Sequence, residues 1–476
     1  MNKEHFIREY TKAIKNRTAA IFAGAGLSKS AGYVDWVRLL KDVAEEIGLD
    51  STKEQGNLPA LAQYYENEKN NRNLLSQLIC NEFCDIQTPD KNHRLLAHLP
   101  IHTYWTTNYD HLIEDCLHAE KKKTDVKVSD ENISVNLYGS DAVVYKMHGD
   151  VNNPNQTVLT LREYETYAEC HPLMLNALKF DLQNKTFLFL GFSFTDPNFN
   201  HILSQLRVVA HRNKASMKTH YCIMRNPQRM AEEKEEDFEY RKKKEELFYK
   251  DLSNYGIEMV MVEEFSDITD IISDLNKSYF RNTIYLSGAV YDYGKWTKEN
   301  AEKFVFNLSS ALIREGYRIV TGYGLGIGNY VIGGVLNEVY MNKNKQLEEE
   351  LIVRPFPQGE DMKENWSAYR KNMISYAGIS IFMFGNKKDE KGIIVPSDGM
   401  QQEYDISEAQ GNVLIPIAST EYISRTLWDQ LMLKHGEEEP YKSLKDDFIA
   451  ISDVNLCNNY DKLINLVIEL VKKISK

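Results

Sequence analysis

IFAGAGLSKSAG, residues 21–32, is the stretch from which the fold can be inferred. It begins with apolar residues, passes through Gly24 and Gly26, and continues with small and hydroxyl side chains. An apolar run that ends in a glycine turn predicts a β-strand and a loop, and parallel α/β sheets bind ligands at such strand ends. Glycine lets the backbone approach a pyrophosphate, and a following helix N-terminus favours the anion. The stretch predicts a nucleotide-binding turn, with a purely structural tight turn as the alternative.

Two common phosphate-loop patterns do not fit this segment. The pattern G-x-G-x-x-G, started at Gly24, places Lys29 where the third glycine belongs. The pattern G-x-x-x-x-G-K-[ST] places Ala23 and Ser28 at its two glycines. The segment therefore favours neither an ordinary dehydrogenase nor a nucleoside triphosphatase.

Strand-like runs alternate with longer helical patterns along the whole chain, which is typical of a largely parallel sheet covered by helices. We predict a fold of class α/β with two doubly wound Rossmann-like domains, residues 1–282 and 283–476. The predicted strands are AAIFA (19–23), HTYWTTN (102–108), AVVYKMHG (142–149), TFLFLGF (186–192), HYCIM (220–224), IEMVMV (257–262), TIYLSGAV (283–290), YRIVTGYG (317–324), LEEELIVRP (347–355), SIFMFG (380–385) and NVLIPI (412–417).

Composition narrows the class of protein. The net charge of −12 argues against a nucleic-acid binder that relies on a basic face. No apolar run reaches the roughly 18 residues of a membrane span, and Glu4, His5 and Glu9 stand where a signal peptide would be apolar. The six cysteines form no C-x-x-C pair. We expect a cytoplasmic protein with reduced thiols, no metal site, and an amphipathic N-terminal helix.

Polar side chains follow three further strands of the predicted first domain. Asn108 and Asp110 come after one strand, His148 after another, and Gly191 and Ser193 after a third. A single polar residue at such a place is more often a cap. Because the carboxyl ends of parallel strands meet at one edge of a sheet, we expect these side chains to converge on one crevice.

Across roughly residues 10 to 265 the sequence resembles the sirtuin family. The resemblance is carried by GAGLS (24–28), TTNYD (106–110), HG (148–149), GFS (191–193) and IMRNP (223–227). These are similar to the sirtuin motifs G-A-G-x-S, T-Q-N-x-D, H-G and G-T-S, and to the segment where an asparagine helps to hold the adenosine end. The resemblance implies a domain that cleaves the nicotinamide–ribose bond of NAD⁺.

Two departures from the sirtuins bear on the reaction. Sirtuin deacylases carry a zinc module with two C-x-x-C pairs, and this chain has none. Their G-I-P-D-F-R motif becomes GYVDWVR (32–38), which keeps Asp35 and loses the proline. The chain is more similar to the zinc-free sirtuin-like domains of bacterial defence proteins, which hydrolyse NAD⁺.

The resemblance assigns roles residue by residue. Asn108 would position the ribose hydroxyls or the attacking water, and His148 would accept a proton as general base. Asp110 would fix the amide or contact the nicotinamide end. The residues that the resemblance assigns to NAD⁺ are Ala23, Gly24, Ala25, Gly26, Ser28, Asp35, Thr107, Asp110, Gly191, Ser193 and Asn226.

The second half of the chain resembles the SLOG superfamily of nucleotide-derivative enzymes and sensors. RKNM (370–373) approximates the family's R-K-x-x-M, and SDGMQQE (397–403) keeps one glycine and the glutamate of P-G-G-x-G-T-x-x-E. The loss of the other glycines favours ligand sensing over hydrolysis. The residues expected to hold an effector are Gly288, Gly322, Gly324, Arg370, Lys387, Lys388, Gly399 and Glu403.

Together the two halves resemble the NADase effectors of the Thoeris antiphage defence systems. The resemblance implies an effector that is a cyclic ADP-ribose isomer made by a TIR-domain partner, and assembly as a homotetramer or a larger homo-oligomer. Two alternatives stay open on the sequence: a non-catalytic sensor of NAD⁺ or another nucleotide, and a sirtuin-type deacylase or ADP-ribosyl transferase.

Overall fold

The computed structural model describes residues 1–54, 57–83, 87–213, 218–230, 233–342, 345–356 and 365–475. The chain divides into two compact units, an N-terminal unit Met1–Tyr279 and a C-terminal unit Phe280–Lys476. Each unit has its own parallel sheet, so the predicted α/β class with two Rossmann-like sheets is confirmed. Within the described ranges, no helix is long and apolar enough to cross a bilayer.

Seven parallel strands build the sheet of the N-terminal unit. They are β1 (Ala19–Ala23), β2 (Thr103–Thr106), β3 (Thr124–Lys127), β4 (Ala142–Lys146), β5 (Thr186–Leu190), β6 (His220–Arg225) and β7 (Ile257–Val262). Their order in the sheet is β3-β4-β2-β1-β5-β6-β7. Every residue of β1 and β5 is buried, as expected for strands covered on both faces. The strand order reverses between β1 and β5, and a reversal of this kind opens a ligand crevice at the carboxyl ends.

The predicted N-terminal helix is present and amphipathic. Phe6, Tyr10 and Ile14 lie on one face of α1 and are buried, because they repeat at the four-residue spacing of a helix. The helices of this unit are α1 (Lys3–Lys15), α2 (Ala25–Lys29), α3 (Trp36–Leu39), α4 (Lys41–Glu46), α5 (Leu58–Lys69), α6 (Asn73–Phe83), α7 (Lys91–His98), α8 (Leu112–Ala119), α9 (Asp130–Ile133), α10 (Leu161–Glu165), α11 (Tyr167–Cys170), α12 (Pro172–Asn184), α13 (Pro197–Asn213), α14 (Glu235–Ser253) and α15 (Phe265–Phe280), the last of which reaches the start of the C-terminal unit.

The C-terminal unit has a five-stranded parallel sheet and a separate two-stranded antiparallel hairpin. The strands are β8 (Thr283–Ala289), β9 (Arg318–Thr321), β10 (Leu351–Val353), β11 (Ile379–Phe384) and β14 (Val413–Pro416), and the hairpin pairs β12 (Asn386–Lys388) with β13 (Ile394–Pro396). The sheet order β10-β9-β8-β11-β14 reverses between β8 and β11, which is the doubly wound arrangement. The helices are α16 (Lys298–Arg314), α17 (Gly328–Met341), α18 (Leu347–Glu350), α19 (Trp366–Ile374), α20 (Asp398–Ala409), α21 (Tyr422–His435), α22 (Lys445–Ala450) and α23 (Tyr460–Ser475).

One predicted strand is partly wrong. The segment LEEELIVRP forms the short helix α18 before β10 begins at Leu351. Three consecutive glutamates favour a helix and do not alternate with apolar residues, so only LIV has the pattern of a buried strand. The edge strand β3 and the β12–β13 hairpin were not predicted.

Candidate active site and effector cleft

The glycine turn of the N-terminal unit brings two strand ends into direct contact. The Gly24 N–H donates to the Leu190 carbonyl, and the Gly26 N–H donates to the Gly191 carbonyl, both at 2.9 Å. A Cβ on Gly24 would lie 2.4 Å from the Gly191 oxygen, and one on Gly191 would lie 2.2 Å from the Leu27 nitrogen. Gly191 also has a φ of +63°. Glycine is therefore required here for close approach and, at Gly191, for a left-handed backbone.

A hydrogen-bonded chain leads from Asn108 to Asp110 through Ser28. The Asn108 Nδ2 donates to the Gly24 carbonyl at 3.0 Å and to Ser28 Oγ at 2.7 Å. Ser28 Oγ in turn donates to Asp110 Oδ2 at 2.6 Å. Because the Gly24 carbonyl can only accept, the amide orientation of Asn108 is fixed. Its Oδ1 faces away from this network and has no hydrogen-bond partner among the described residues.

Asp110 contributes to this network from a buried position. Its Oδ2 holds Ser28, and its Oδ1 accepts from the Leu112 N–H at 3.0 Å at the start of α8. The side chain is buried. Asp110 therefore fixes the amide of Asn108 indirectly, through the serine hydroxyl.

His148 follows β4 and is buried beside a carboxylate and a phenol. Its Nε2 lies 2.9 Å from Asp196 Oδ2, and its Nδ1 lies 3.5 Å from the Tyr164 hydroxyl. The two rings meet edge to face with centroids 5.2 Å apart. Burial alone would raise the pKa of the Asp196 carboxyl, but His148 and the backbone N–H groups of Phe199 and Asn198 hold that pKa below its ordinary value.

Aromatic packing explains why the loop after β5 can carry Ser193 and Asp196. Phe192 packs on Phe22 with ring centroids 4.6 Å apart, and Phe199 packs on Phe192 at 5.1 Å. These rings are buried, so the loop is anchored on both sides of Asp196. Ser193 Oγ and Thr195 Oγ1 are hydrogen-bonded at 2.7 Å on the exposed side.

A buried ion cluster supports the loop that carries Asn108. The Lys146 ammonium lies 2.5 Å from Asp150 Oδ2 and 3.1 Å from Glu114 Oε1. It also donates to the backbone carbonyls of Tyr109 and Asp110, at 3.1 and 2.6 Å. Burial alone would lower the pKa of Lys146, but the two carboxylates outweigh it and raise that pKa.

The cluster also makes stability depend on pH. Burial alone would raise the pKa of Asp150, but His111 and Lys146 hold it at about 2, against 3.8 for a free side chain. The charged form of Asp150 therefore stabilises the fold by about 2 kcal/mol above pH 4, a contribution that disappears as the pH falls towards about 2. In urea unfolding, the stability gap between wild type and Asp150→Asn should shrink between pH 6 and pH 3. A gap that stays constant over this range would contradict the assignment.

A cleft of about 460 Å³ lies at these strand ends. It is lined by Ala25, Gly26, Asp35, Trp36, Val37, Asn57, Leu58, Pro59, Thr107, His148, Leu161, Tyr164, Gly191, Phe192, Ser193, Thr195, Asp196 and Pro197. The sequence analysis assigned thirteen residues to NAD⁺ or catalysis, and seven of them line this cleft. Asn108, Ser28 and Asp110 do not line it, but they are hydrogen-bonded to one another and to Gly24, beside the wall.

Two of the assigned residues, Ala23 and Asn226, belong neither to the cleft wall nor to the Asn108 hydrogen-bond network. Ala23 is fully buried at the end of β1. Asn226 follows β6, where its Nδ2 donates to Glu263 Oε1 at 2.7 Å. Asp35 is on the wall, and it caps α3 through the Arg38 N–H while its second oxygen lies 2.6 Å from Lys29 Nζ.

The C-terminal unit has a second cleft, of about 580 Å³, at the ends of β8 and β9. A Cβ on Gly324 would lie 1.8 Å from the Gly288 carbonyl, so the two strand ends approach as closely as backbone allows. The cleft is lined by Tyr285, Leu286, Ser287, Gly288, Ala289, Gly322, Tyr323, Gly324, Leu325, Gly326, Gly328, Asn329, Pro355, Phe356, Trp366, Arg370, Lys387, Ser397, Asp398, Gly399 and Glu403.

Arg370 is a buried cation held in a defined orientation at this cleft. Its guanidinium lies over the Phe356 ring at 4.8 Å, and Nη1 donates to Gln402 Oε1 at 2.8 Å. Nε lies 3.5 Å from Glu403 Oε1. Among the described residues, its Nη2 has no acceptor, and it points to Gly399, where a Cβ would be 2.9 Å away. The Nη2 side of the Arg370 guanidinium therefore faces the cleft.

Glu403 is the buried acid of the same cleft. Its Oε2 accepts from Ser287 Oγ at 2.6 Å. Burial raises its pKa despite the hydrogen bonds and the nearby Arg370. Arg370 lies on α19 and Glu403 on α20.

Lys387 and Lys388 differ in their position relative to the C-terminal cleft. Lys387 lines the cleft and pairs with Asp398. Lys388 is outside the cleft wall: its ammonium lies over the Tyr291 ring at 5.1 Å and donates to the Tyr291 hydroxyl.

Sequence reasoning missed three residues that shape the N-terminal site: Asp196, Tyr164 and Lys146. Lys146 carried a usable signal, since a lysine inside an apolar strand must find buried anions. Asp196 is followed by proline, the pattern of a helix start, which indicates a cap and gives no hint of His148.

Comparison with known proteins gives matches in both units. A model described as SIR2-like domain matches residues 102–249, and one described as Sir2- and TIR-associating SLOG family matches residues 267–474. Three relatives carry the name NAD(+) hydrolase ThsA. That of Bacillus cereus (strain MSX-D12) is 44% identical over 99% of this chain and 98% of the relative. That of Enterococcus faecium is 42% identical over the full length of both. That of Cytobacillus dafuensis is 40% identical over 99% of this chain and 96% of the relative.

Similarity of this degree extends over both units and both clefts. The chain therefore belongs to the ThsA family, in which a SIR2-like domain is joined to a SLOG domain of the Sir2- and TIR-associating type.

Proposed function

We propose that the N-terminal cleft hydrolyses NAD⁺ to nicotinamide and ADP-ribose, and that the C-terminal cleft controls this reaction by binding a nucleotide effector. The observation that carries the first part is that His148 lines the cleft and the Asn108 network is bonded to Gly24, next to Ala25 of the cleft wall, in a chain whose relatives are named NAD(+) hydrolases. The substrate is NAD⁺ itself, and the proposed reaction requires no metal ion.

The chemistry of the nicotinamide leaving group determines which catalytic groups the protein needs for hydrolysis. Nicotinamide in NAD⁺ is a cationic pyridinium, so it departs as a neutral base without protonation. Positive charge then develops at C1′ of the ribose, as in the oxocarbenium-like transition state of glycoside hydrolysis. Water bonds to C1′, the C1′–N electron pair goes to the nicotinamide ring, and one water proton must be removed.

Asn108 positions the reacting groups, and His148 removes the water proton. The Oδ1 of Asn108, fixed by the Gly24 and Ser28 contacts, accepts a hydrogen bond from the ribose or from the attacking water. His148 accepts the water proton. Trp36, Leu161 and Tyr164 are among the apolar and aromatic residues of the wall, which limit the entry of further water.

The C-terminal cleft suits a phosphorylated, ribose-containing effector. The Nη2 group of the Arg370 guanidinium, which has no acceptor among the described residues, offers charged N–H donors of the kind that bind phosphate. Glu403 offers a carboxyl group that would meet ribose hydroxyls. We propose a cyclic ADP-ribose isomer made by a TIR-domain partner as this effector.

Control by such an effector demands strong discrimination between two states. Turning a 1:99 ratio of active to inactive protein into 99:1 requires about 10⁴-fold tighter binding to the active state. Arg370 and Glu403 are buried ionisable groups, so their interactions would change strongly with small movements of the cleft.

Arg370→Ala should abolish activation by cyclic ADP-ribose isomers while leaving NAD⁺ binding at the N-terminal unit intact. The reason is the loss of the cation that faces the effector phosphates. The measurement is nicotinamide release over a titration of each isomer. The matched control is Lys388→Ala, which removes a neighbouring cation outside the cleft and should respond as wild type does. An Arg370→Ala protein activated at wild-type concentrations would exclude the C-terminal cleft as the effector site.

In the cell, the proposed role is antiphage defence by depletion of NAD⁺ in the cytoplasm, carried out by a homo-oligomer. The test uses cells that express the TIR-domain partner together with either the wild-type chain or His148→Ala. The cells are infected with phage, and their NAD⁺ is then quantified. If infection depletes NAD⁺ only in the cells that carry the wild-type chain, the result supports the role. Equal NAD⁺ levels in both strains would exclude it.

A further inference from the structure

Asp196 is the only charged group in contact with the His148 ring within the described chain. Its Oδ2 lies 2.9 Å from His148 Nε2, and the two side chains are only 3% and 5% exposed. The N–H direction is not aligned with the oxygen, and neither atom has another hydrogen-bond partner among the described residues. Catalytic hydrogen bonds are often poorly aligned without substrate and straighten when it binds.

The position of Asp196 is set by the fold rather than by His148. Its Oδ1 accepts from the Phe199 N–H at 2.8 Å at the start of α13, and its backbone carbonyl accepts from the Asn200 N–H. Phe192 and Phe199, which flank it, are packed in the aromatic core. A carboxylate held in this way can orient a neighbouring ring.

The carboxylate also determines which imidazole nitrogen is available. Oδ2 of an ionised Asp196 can only accept, so a neutral His148 carries its proton on Nε2. The lone pair is then on Nδ1, which lies 3.5 Å from the Tyr164 hydroxyl at the cleft wall. The other titratable groups near this pair are Tyr167, whose hydroxyl donates to the Met147 carbonyl, and His171.

We propose that Asp196 is a positioning residue for the hydrolysis of NAD⁺: it orients His148 and fixes the tautomer in which Nδ1 accepts the proton of the attacking water. The proposal rests on the proposed function. In this step the water oxygen bonds to C1′ while the C1′–N electron pair leaves with nicotinamide, the water proton moves to Nδ1, and the carboxylate stabilises the resulting imidazolium. The imidazolium then returns the proton to solvent.

Two substitutions separate this role from support of the fold. Asp196→Asn and Asp196→Ser both keep a good cap for α13. The Asn amide can donate to Nε2, which would move the proton to Nδ1 and remove the base. We expect the kcat of Asp196→Asn to fall about 10²- to 10⁴-fold, as when the orienting carboxylate of a serine-protease triad becomes an amide. The KM for NAD⁺ should change less than about threefold, because Asp196 acts on the base rather than on the bound substrate.

Rescue by a small carboxylate gives the sharper readout. Asp196→Ser leaves room beside His148, so sodium formate should raise its rate at least tenfold over sodium chloride of equal ionic strength, and should not raise the rate of His148→Ala. All rates are nicotinamide release by the full chain with and without cyclic ADP-ribose isomers. A wild-type protein that releases no nicotinamide refutes the proposed function itself.

With an active wild type, three results overturn the positioning role. One is a kcat for Asp196→Asn close to wild type. Another is faster release without effector, which would mean that the carboxylate blocks the site. The third is an Asp196→Ser protein that folds with a wild-type melting temperature, has lost activity and gains nothing from formate.

Discussion

Replacing His148 with alanine should lower the rate of nicotinamide release by about 10²- to 10⁴-fold, the usual contribution of a general base. The imidazole lies at the cleft wall between Asp196 and Tyr164, and no other histidine lines this cleft in the described chain. Loss of the ring removes the proposed acceptor for the water proton and leaves unchanged the glycine turn that is proposed to bind NAD⁺. The rate loss should therefore appear mainly in kcat, measured with the full chain over a range of NAD⁺ concentrations.

The matched control is His118→Ala, which removes an exposed imidazole from α8. It should release nicotinamide at the wild-type rate. Binding of NAD⁺ to His148→Ala, measured by calorimetry, separates a chemical defect from a lost site. Wild-type turnover by His148→Ala would contradict the assignment of the base.

Lys146→Met should destabilise the N-terminal unit by about 3–5 kcal/mol, the cost of leaving buried carboxylates without their cation. The ammonium is fully buried and lies within 3.1 Å of both Glu114 and Asp150. It also fixes the carbonyls of Tyr109 and Asp110, so Asn108 should lose its defined orientation as well. The measurement is urea unfolding at pH 7, together with nicotinamide release at a temperature where the variant is still folded.

A triple variant isolates the electrostatic cause. Adding Glu114→Gln and Asp150→Asn to Lys146→Met removes the uncompensated charges and should recover most of the lost stability. Lys41→Met, which breaks an exposed pair with Glu45, should change stability by no more than about 1 kcal/mol. If the triple variant is less stable than Lys146→Met alone, unpaired charge is not the cause.

The strands that position the site were predictable because burial on both faces leaves a strong apolar pattern. AAIFA and IEMVMV form β1 and β7 over the predicted residues. HTYWTTN was predicted too long, since its last two residues leave the sheet and carry Asn108 into the site. The edge strand β3 was missed because TDVK contains two charged residues, and its lysine and aspartate pair with each other at 2.8 Å.

The site was predictable to the extent that it lies at strand ends. His148 and Gly191 line one cleft, and Asn108 is bonded to the glycine turn beside it, because β2, β4 and β5 all end at the same edge of one sheet. The partners of these residues were not predictable, since a contact such as Asp196 with His148 depends on loop geometry over 48 positions of sequence. The same holds for Arg370, whose aromatic neighbours and contact with Gln402 follow from how α19 and α20 pack.

The central claim is that the N-terminal cleft transfers the ADP-ribose of NAD⁺ to water. The direct measurement is mass spectrometry of the products after the full chain, with a cyclic ADP-ribose isomer present, acts on NAD⁺ in ¹⁸O-labelled water. The account predicts equal amounts of unlabelled nicotinamide and of ADP-ribose that carries one ¹⁸O, and neither product with Asn108→Ala or His148→Ala. Intact NAD⁺ under every condition, or ADP-ribose recovered on protein instead of as the labelled free product, would contradict it.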